Sequence, residues 1–185
     1  MNITAMYFSG TGTTKKVTAA IADELTEIKI SQDETAAGEN PGSIKAGIKP
    51  WQRAADIDFT PPAARREIYR FAPDDLVVFG VPVIAGRVPN VLLKFLDTLQ
   101  GGGALAVPVV LYGNRNFDDA LIELRNILQD RGFYAIGAAA FIGEHSFSRI
   151  LAAGRPDSSD MELSRDFARK LAGKIRRLGA AGLRE

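Results

Sequence analysis

The chain has 185 residues, 46% of them apolar, enough for one domain with its own hydrophobic core. Its 23 Lys and Arg against 22 Asp and Glu leave a net charge of +1, so no global field draws it to nucleic acid or a membrane surface. It has no cysteine and one histidine, which excludes disulfides, thiol catalysis, cysteine-held iron–sulfur or zinc centres and a histidine metal cluster.

Residues 3–8 are apolar and read as a strand, with no charged-then-apolar leader before it. No apolar run approaches the ~20 residues of a membrane helix, so the expected location is cytoplasmic. The strand runs straight into Ser9, Gly10, Thr11, Gly12, Thr13 and Thr14. An amphipathic helix follows at once, with Val17, Ala20, Ile21, Leu25 and Ile28 on one face. Strand, hydroxyl-rich turn and helix N-terminus together form an anion site: free N–H groups and the positive dipole end favour a phosphate. The hydroxyls of Ser9, Thr11, Thr13 and Thr14 add donors, and the glycines permit close approach. Lys15 and Lys16 in the first turn oppose the dipole unless an anion is bound. The alternative is a merely capped strand-to-helix turn. Lys15 stands where a dinucleotide fingerprint needs its third glycine, Gly12 is not followed by the Lys of a Walker loop, and a phosphatase cysteine is absent. What survives is a single phosphate monoester, cradled by hydroxyls and backbone.

Residues 31–53 read as a surface insertion, rich in Gly, Glu, Lys, Ala and Pro, with Trp51 facing solvent or a partner. Residues 54–60 read as a short strand stopped by Pro61 and Pro62, and 75–81 as a central strand buried on both faces. Residues 88–99 form a helix with Val91, Leu92, Phe95, Leu96 and Leu99 inward, and 105–112 the next buried strand. A helix over 117–131 ends at Gly132, and Asp118 and Asp119 cap its start. A strand over 133–142 and a helix over 160–178, with Leu163, Phe167, Leu171, Ile175 and Leu178 inward, complete the pattern. Alternating strands and helices predict right-handed βαβ units: an α/β three-layer sandwich on a five-stranded parallel sheet in the order 2-1-3-4-5, in a single domain spanning 1–185. Ligands then bind beyond the carboxyl ends of the strands, where the order reverses.

Two further loops lie at that edge. One runs through Pro82, Val83, Ile84, Ala85, Gly86 and Arg87, the other through Tyr112, Gly113, Asn114, Arg115, Asn116 and Phe117. With the first turn they resemble the three FMN-binding loops of the flavodoxin-like family. The stretches VFGVPVIAGRVPN, VPVVLYGNRNFDDALIEL and EHSFS…AAGRPD are most similar to the flavodoxin domain of ferredoxin-linked, EFR-type flavoproteins. The likeness covers about residues 1–28 and 70–178 and implies FMN as cofactor. Two departures stand out. The family's cysteine-rich ferredoxin module is absent here, so the resemblance implies a separate ferredoxin or a reductase as redox partner. Thr13 also stands where the group often has Asn.

Loop 82–87 offers backbone N–H groups to an isoalloxazine, and Tyr112 or Phe117 either packs on the ring or belongs to the core. Arg87 and Arg115 are expected beside the flavin, where a guanidinium stabilises negative charge on the reduced ring; the alternative is a solvated loop arginine. His145 either relays a proton or binds a carbonyl substrate, or orients its own loop by hydrogen bonding. Three functions compete: an electron carrier between protein partners, an FMN-dependent NAD(P)H oxidoreductase acting on a quinone or similar acceptor, and a cofactor-free binding module. Intact ligand loops argue against the third, and the absence of a nicotinamide motif favours the first.

Overall fold

The computed structural model describes residues 1–36, 51–148 and 150–183. Strand β1 (Asn2–Tyr7) leads into helix α1 (Thr13–Ala36). Two short strands follow, β2 (Gln52–Arg53) and β3 (Ile57–Asp58), then a 3-10 turn at Ala64–Arg66. Strand β4 (Asp75–Pro82), helix α2 (Asn90–Leu96), strand β5 (Leu105–Tyr112) and helix α3 (Ala120–Asp130) form the middle of the chain. Strands β6 (Tyr134–Ala135) and β7 (Ala139–Ile142) precede helix α4 (Ser158–Gly182), which breaks at Gly179.

All pairings in the sheet are parallel. The path is β2-β1-β4-β5-β6, with β3 also on β1 and β7 also on β5. β2 and β3 share one edge and β6 and β7 the other, so the order 2-1-3-4-5 holds with both edge strands split. Each split is a bulge of one residue. Asn2 pairs with Gln52 but Met6 with Ile57, and Leu105 pairs with Tyr134 but Val109 with Ala139. In both bulges a carbonyl that leaves the ladder is met by a cation: Arg53 Nη1 donates to Ala54 O at 2.6 Å and Lys174 Nζ to Ile136 O at 2.7 Å. Pro108 explains the second split. The carbonyls of Ala104, Ala106 and Tyr112 face the β6/β7 edge, so by alternation residue 108 points its missing N–H at that gap.

Side chains alternate across the sheet and feed two cores. Ile3, Ala5, Leu76, Val78, Val107 and Val109 meet Val17, Ile21 and Leu25 of α1 and Ala168, Leu171 and Ile175 of α4. On the other face Met6, Val77, Phe79 and Val110 meet Leu92, Phe95 and Leu96 of α2 and Leu124 and Leu128 of α3. Three layers result. Gly80 sets the spacing of α1: a Cβ there would fall 2.1 Å from Thr18 Oγ1 and 2.9 Å from Thr14 Cγ2.

Several sequence expectations need correction. The expected insertion is helical over 31–36, its residues 37–50 lie outside the described residues, and 52–53 belong to the sheet. Trp51 is 7% exposed and part of the first core, not a surface residue. Val91, Leu163 and Leu178 are exposed, and the buried face of α4 runs instead through Met161, Ser164, Ala168, Leu171 and Ile175. Asp119 stands at the N-cap of α3 without a capping side-chain bond. Gly132, at φ +85°, is left-handed just beyond α3, the conformation a helix terminator needs. No described helix is long and apolar enough to cross a membrane.

Candidate functional site

The turn from β1 into α1 exposes its backbone. Among the described residues the N–H groups of Gly10, Thr11, Gly12, Thr13 and Thr14 have no acceptor; the first helical bond is Lys16 N–H to Gly12 O at 3.0 Å. Five consecutive free donors at a helix N-terminus suit an anion. A Cβ at Gly10 or Gly12 would meet nothing within 4 Å, so the space before the turn is open, and Gly12 holds φ +85°. Ser9 Oγ accepts from Lys15 N–H at 3.0 Å, which uses one lone pair and leaves its O–H to donate. Ser9 N–H binds Thr60 Oγ1 at 2.8 Å, tying the turn to the segment after β3. The Thr11 and Thr13 hydroxyls pair at 3.2 Å at the mouth, while Thr14 is buried against Gly80. Lys15 lies over the Tyr7 ring, and Lys16 reaches the carbonyl of Pro156 at 2.9 Å.

The loop after β4 closes as a two-residue turn. Ile84 and Arg87 exchange both backbone hydrogen bonds, at 3.0 and 3.1 Å, around Ala85 (φ +50°) and Gly86 (φ +73°). Both central residues at positive φ make this a type I′ turn. A Cβ on Gly86 would strike Asp118 Oδ2 at 2.4 Å, so this turn packs directly on the loop after β5. There Asn116 Nδ2 donates to Asp118 Oδ1 at 2.6 Å, and Asp118 N–H returns to Asn116 Oδ1 at 3.2 Å. Tyr112 and Phe117 meet edge to face at 5.4 Å.

Two adjoining clefts lie over the carboxyl ends of β1, β4 and β5. The smaller, about 140 Å³, is bordered by Thr11, Thr13, Thr14, Pro82, Val83, Ile84 and Gly113, together with Gly143, Glu144 and Ser146. The larger, about 610 Å³, is bordered by Val83, Ile84, Ala85, Gly86, Tyr112, Gly113, Arg115 and Asn116, with His145, Ser146 and Phe147. Val83, Ile84, Gly113 and Ser146 border both. Twelve of the seventeen residues expected at the site therefore line this double cleft. Ser9, Gly12, Asn114 and Phe117 shape its loops without bordering it.

Arg87 stands apart. Its guanidinium makes a two-pronged pair with Glu123 at 2.9 and 2.7 Å, and Glu123 also accepts Val88 N–H at 2.8 Å. The guanidinium, then the Val88 amide, hold the Glu123 carboxyl below its ordinary pKa against the opposing effect of burial. Arg87 borders the groove between α2 and α3 and a hollow it shares with Phe8, Pro82 and Ile84, but not the double cleft.

Sequence reasoning set Glu144, His145 and Ser146 at the ligand edge but counted none of them among the cofactor residues, and it left out Gly143 and Phe147. Gly143, Glu144, Ser146 and Phe147 all border the clefts. Phe147 is 89% exposed, and an aromatic set among serines after the last strand was the available signal. The far end of that loop is pinned by Asp160. It grips Arg155 and accepts Asp157 N–H at 2.9 Å, and Arg155, then that amide, hold its carboxyl below the ordinary range.

No protein-family model matches this chain, and neither does any curated protein sequence. Solved structures do. Oxidised flavodoxin 1 from Bacillus cereus aligns with a TM-score of 0.58 at 16% identity, over 94% of this chain and 98% of that one. This is the flavodoxin-like fold. A Streptococcus pneumoniae flavodoxin gives 0.56 at 15% identity, over 95% and 100% of the two chains. An NADH:FMN oxidoreductase, in its apo form, gives 0.57 at 16%, over 94% and 89%. In flavodoxin-like terms, the double cleft sits where the strand order reverses, at the ligand edge of such sheets.

Proposed function

We propose that this chain binds FMN and carries electrons between redox partners. The observation behind the reading is the run of five acceptor-less N–H groups from Gly10 to Thr14, opening into a cleft continuous with loops 82–87 and 112–117. Those residues suit a phosphate monoester. The amides and the Thr11 and Thr13 hydroxyls would hold it, and the I′ turn and Tyr112 would flank the ring. FMN, when bound, supplies one- and two-electron redox chemistry; the chain supplies position, donors and shielding from water. The EFR-type likeness in residues 1–28 and 70–178 supports a separate ferredoxin or a reductase as partner. Residues 1–185 are read as one domain.

The absorption spectrum of the purified protein, followed by chromatography of the flavin released on denaturation, tests this. FMN is the expected product. FAD, or no affinity for added FMN, would refute it. A second reading, an FMN-dependent NAD(P)H oxidoreductase acting on a quinone or similar acceptor, draws support from the size of the larger cleft and the polar groups of His145 and Ser146 on its border. Stopped-flow mixing with NADPH separates the two: rapid flavin reduction favours the enzyme, none the carrier.

A further inference from the structure

The chain's one histidine sits in the loop after β7, half-buried. Its Nδ1 accepts two backbone donors, Phe147 N–H at 3.1 Å and Ser148 N–H at 3.2 Å. A nitrogen that accepts carries no proton, so the neutral ring holds its proton on Nε2. The opposite edge of the imidazole rests on the end of β5: a Cβ on Gly113 would lie 2.7 Å from His145 Cδ2, the carbon bonded to Nε2. Nε2 has no acceptor among the described residues. The ring borders the larger cleft with Tyr112, Arg115 and Asp118, and the hollow beside Thr11 with Glu144.

We propose that His145 is a ligand-binding residue of this cleft, whose Nε2–H donates to a carbonyl oxygen of the ring ligand seated there. The inference rests on the FMN reading. Holding the turn requires only an acceptor at Nδ1, which a smaller side chain supplies. The imidazole adds an N–H donor, of fixed tautomer, on the wall that the loops after β5 and β7 share. A single N–H donor suits a carbonyl oxygen, which accepts one such bond and needs no countercharge. The oxygen belongs either to the flavin's pyrimidine ring or to a carbonyl compound bound beside it.

Two substitutions separate the edges of the ring. His145→Asn places an amide oxygen near the Nδ1 position and removes the far donor; His145→Gln carries an amide N–H to the Nε2 position and removes the near acceptor. With one histidine, the side-chain 15N spectrum of the apoprotein reads the tautomer directly, and the proton is expected on Nε2; a proton on Nδ1 would overturn the proposal. In the His145→Asn variant the Phe147 and Ser148 amides should stay protected from exchange. Affinity for both FMN and riboflavin should fall about three- to tenfold, and His145→Gln should recover it. Unchanged flavin affinity with a KM for menadione raised by the same factor assigns the oxygen to the second ligand. If neither quantity moves in a wild type that binds FMN, the proposal fails alone. A wild type that takes up no FMN removes the functional reading with it, before any variant is made.

Discussion

Arg87 and Arg115 occupy neighbouring loops at the same edge of the sheet, yet only one faces the cleft. A unit charge about 6 Å from negative charge developing on a reduced ligand is worth roughly 3 kcal/mol at an effective dielectric near 20, cut to about 1 kcal/mol by solvent and salt. That corresponds to about 40 mV for one electron. Arg115→Gln should therefore lower the midpoint potential of bound flavin by some tens of millivolts, less at high salt. Arg87→Gln should leave it in place, because its charge is spent on Glu123. Spectroelectrochemistry of both variants decides, and equal shifts would contradict the separation. Thr11→Ala should weaken FMN about tenfold, the value of one charge-assisted hydrogen bond, and leave riboflavin nearly unaffected. Equal losses in titrations of the two flavins would show that the turn does not hold phosphate. The phosphate turn was legible because its residues are contiguous. The Arg87 pair was not, since its partner lies 36 residues away on another element. The same holds for Trp51, whose burial depends on a sheet edge built around it.

At Gly80, β4 packs on α1 with no room for a side chain. Gly80→Ala would drive a methyl group into Thr18 and Thr14, costing about 1–3 kcal/mol and displacing the start of α1. A drop in urea midpoint together with weaker FMN binding is expected; a variant with wild-type values of both would mean that the helix gives way freely. The loop between β7 and α4 answers to pH. The Asp160 carboxyl is held below the ordinary range, so its folded-state preference is present above the unfolded carboxylate value and lost as pH falls through the lowered one. Glu123 acts in the same direction. Stability should decline below about pH 4, and Asp160→Asn, less stable at neutral pH, should show a shallower acid limb in denaturation curves. An unchanged limb would mean that the pair contributes nothing. Strands β4 and β5 were plain in the sequence because burial on both faces demands unbroken apolar runs. The edges were not: nothing local in residues 51–60 or 133–142 marks where one residue slips out of pairing, although Pro108 on the neighbouring strand carries the physical cause of the second slip.

For the molecule as a whole, two cores share one sheet, and both draw on β1, β4 and β5. Neither half can be lost without stripping a face of these strands, so unfolding should be a single transition. Trp51, the only tryptophan, reports the α1/α4 side. Its fluorescence and far-ultraviolet circular dichroism should give coincident urea curves; separated midpoints would reveal two independently melting layers. The alternation of element types in the sequence already implies this layering, since it reflects only which residues need cover. The segment from Glu144 to Ser146 was placed at the ligand edge, but its part in the cleft border was not, because a loop's path depends on the length of the strand before it. The paired slips at the two sheet margins bear on life in a crowded solution. A margin with intact, evenly spaced donors is a template on which a stray chain can crystallise strand by strand. Here the spacing changes phase within a few residues on either flank, because each edge strand slips by one residue. An incoming segment would fall out of step after two residues, so the sheet is self-terminating and resists recruitment into fibrils.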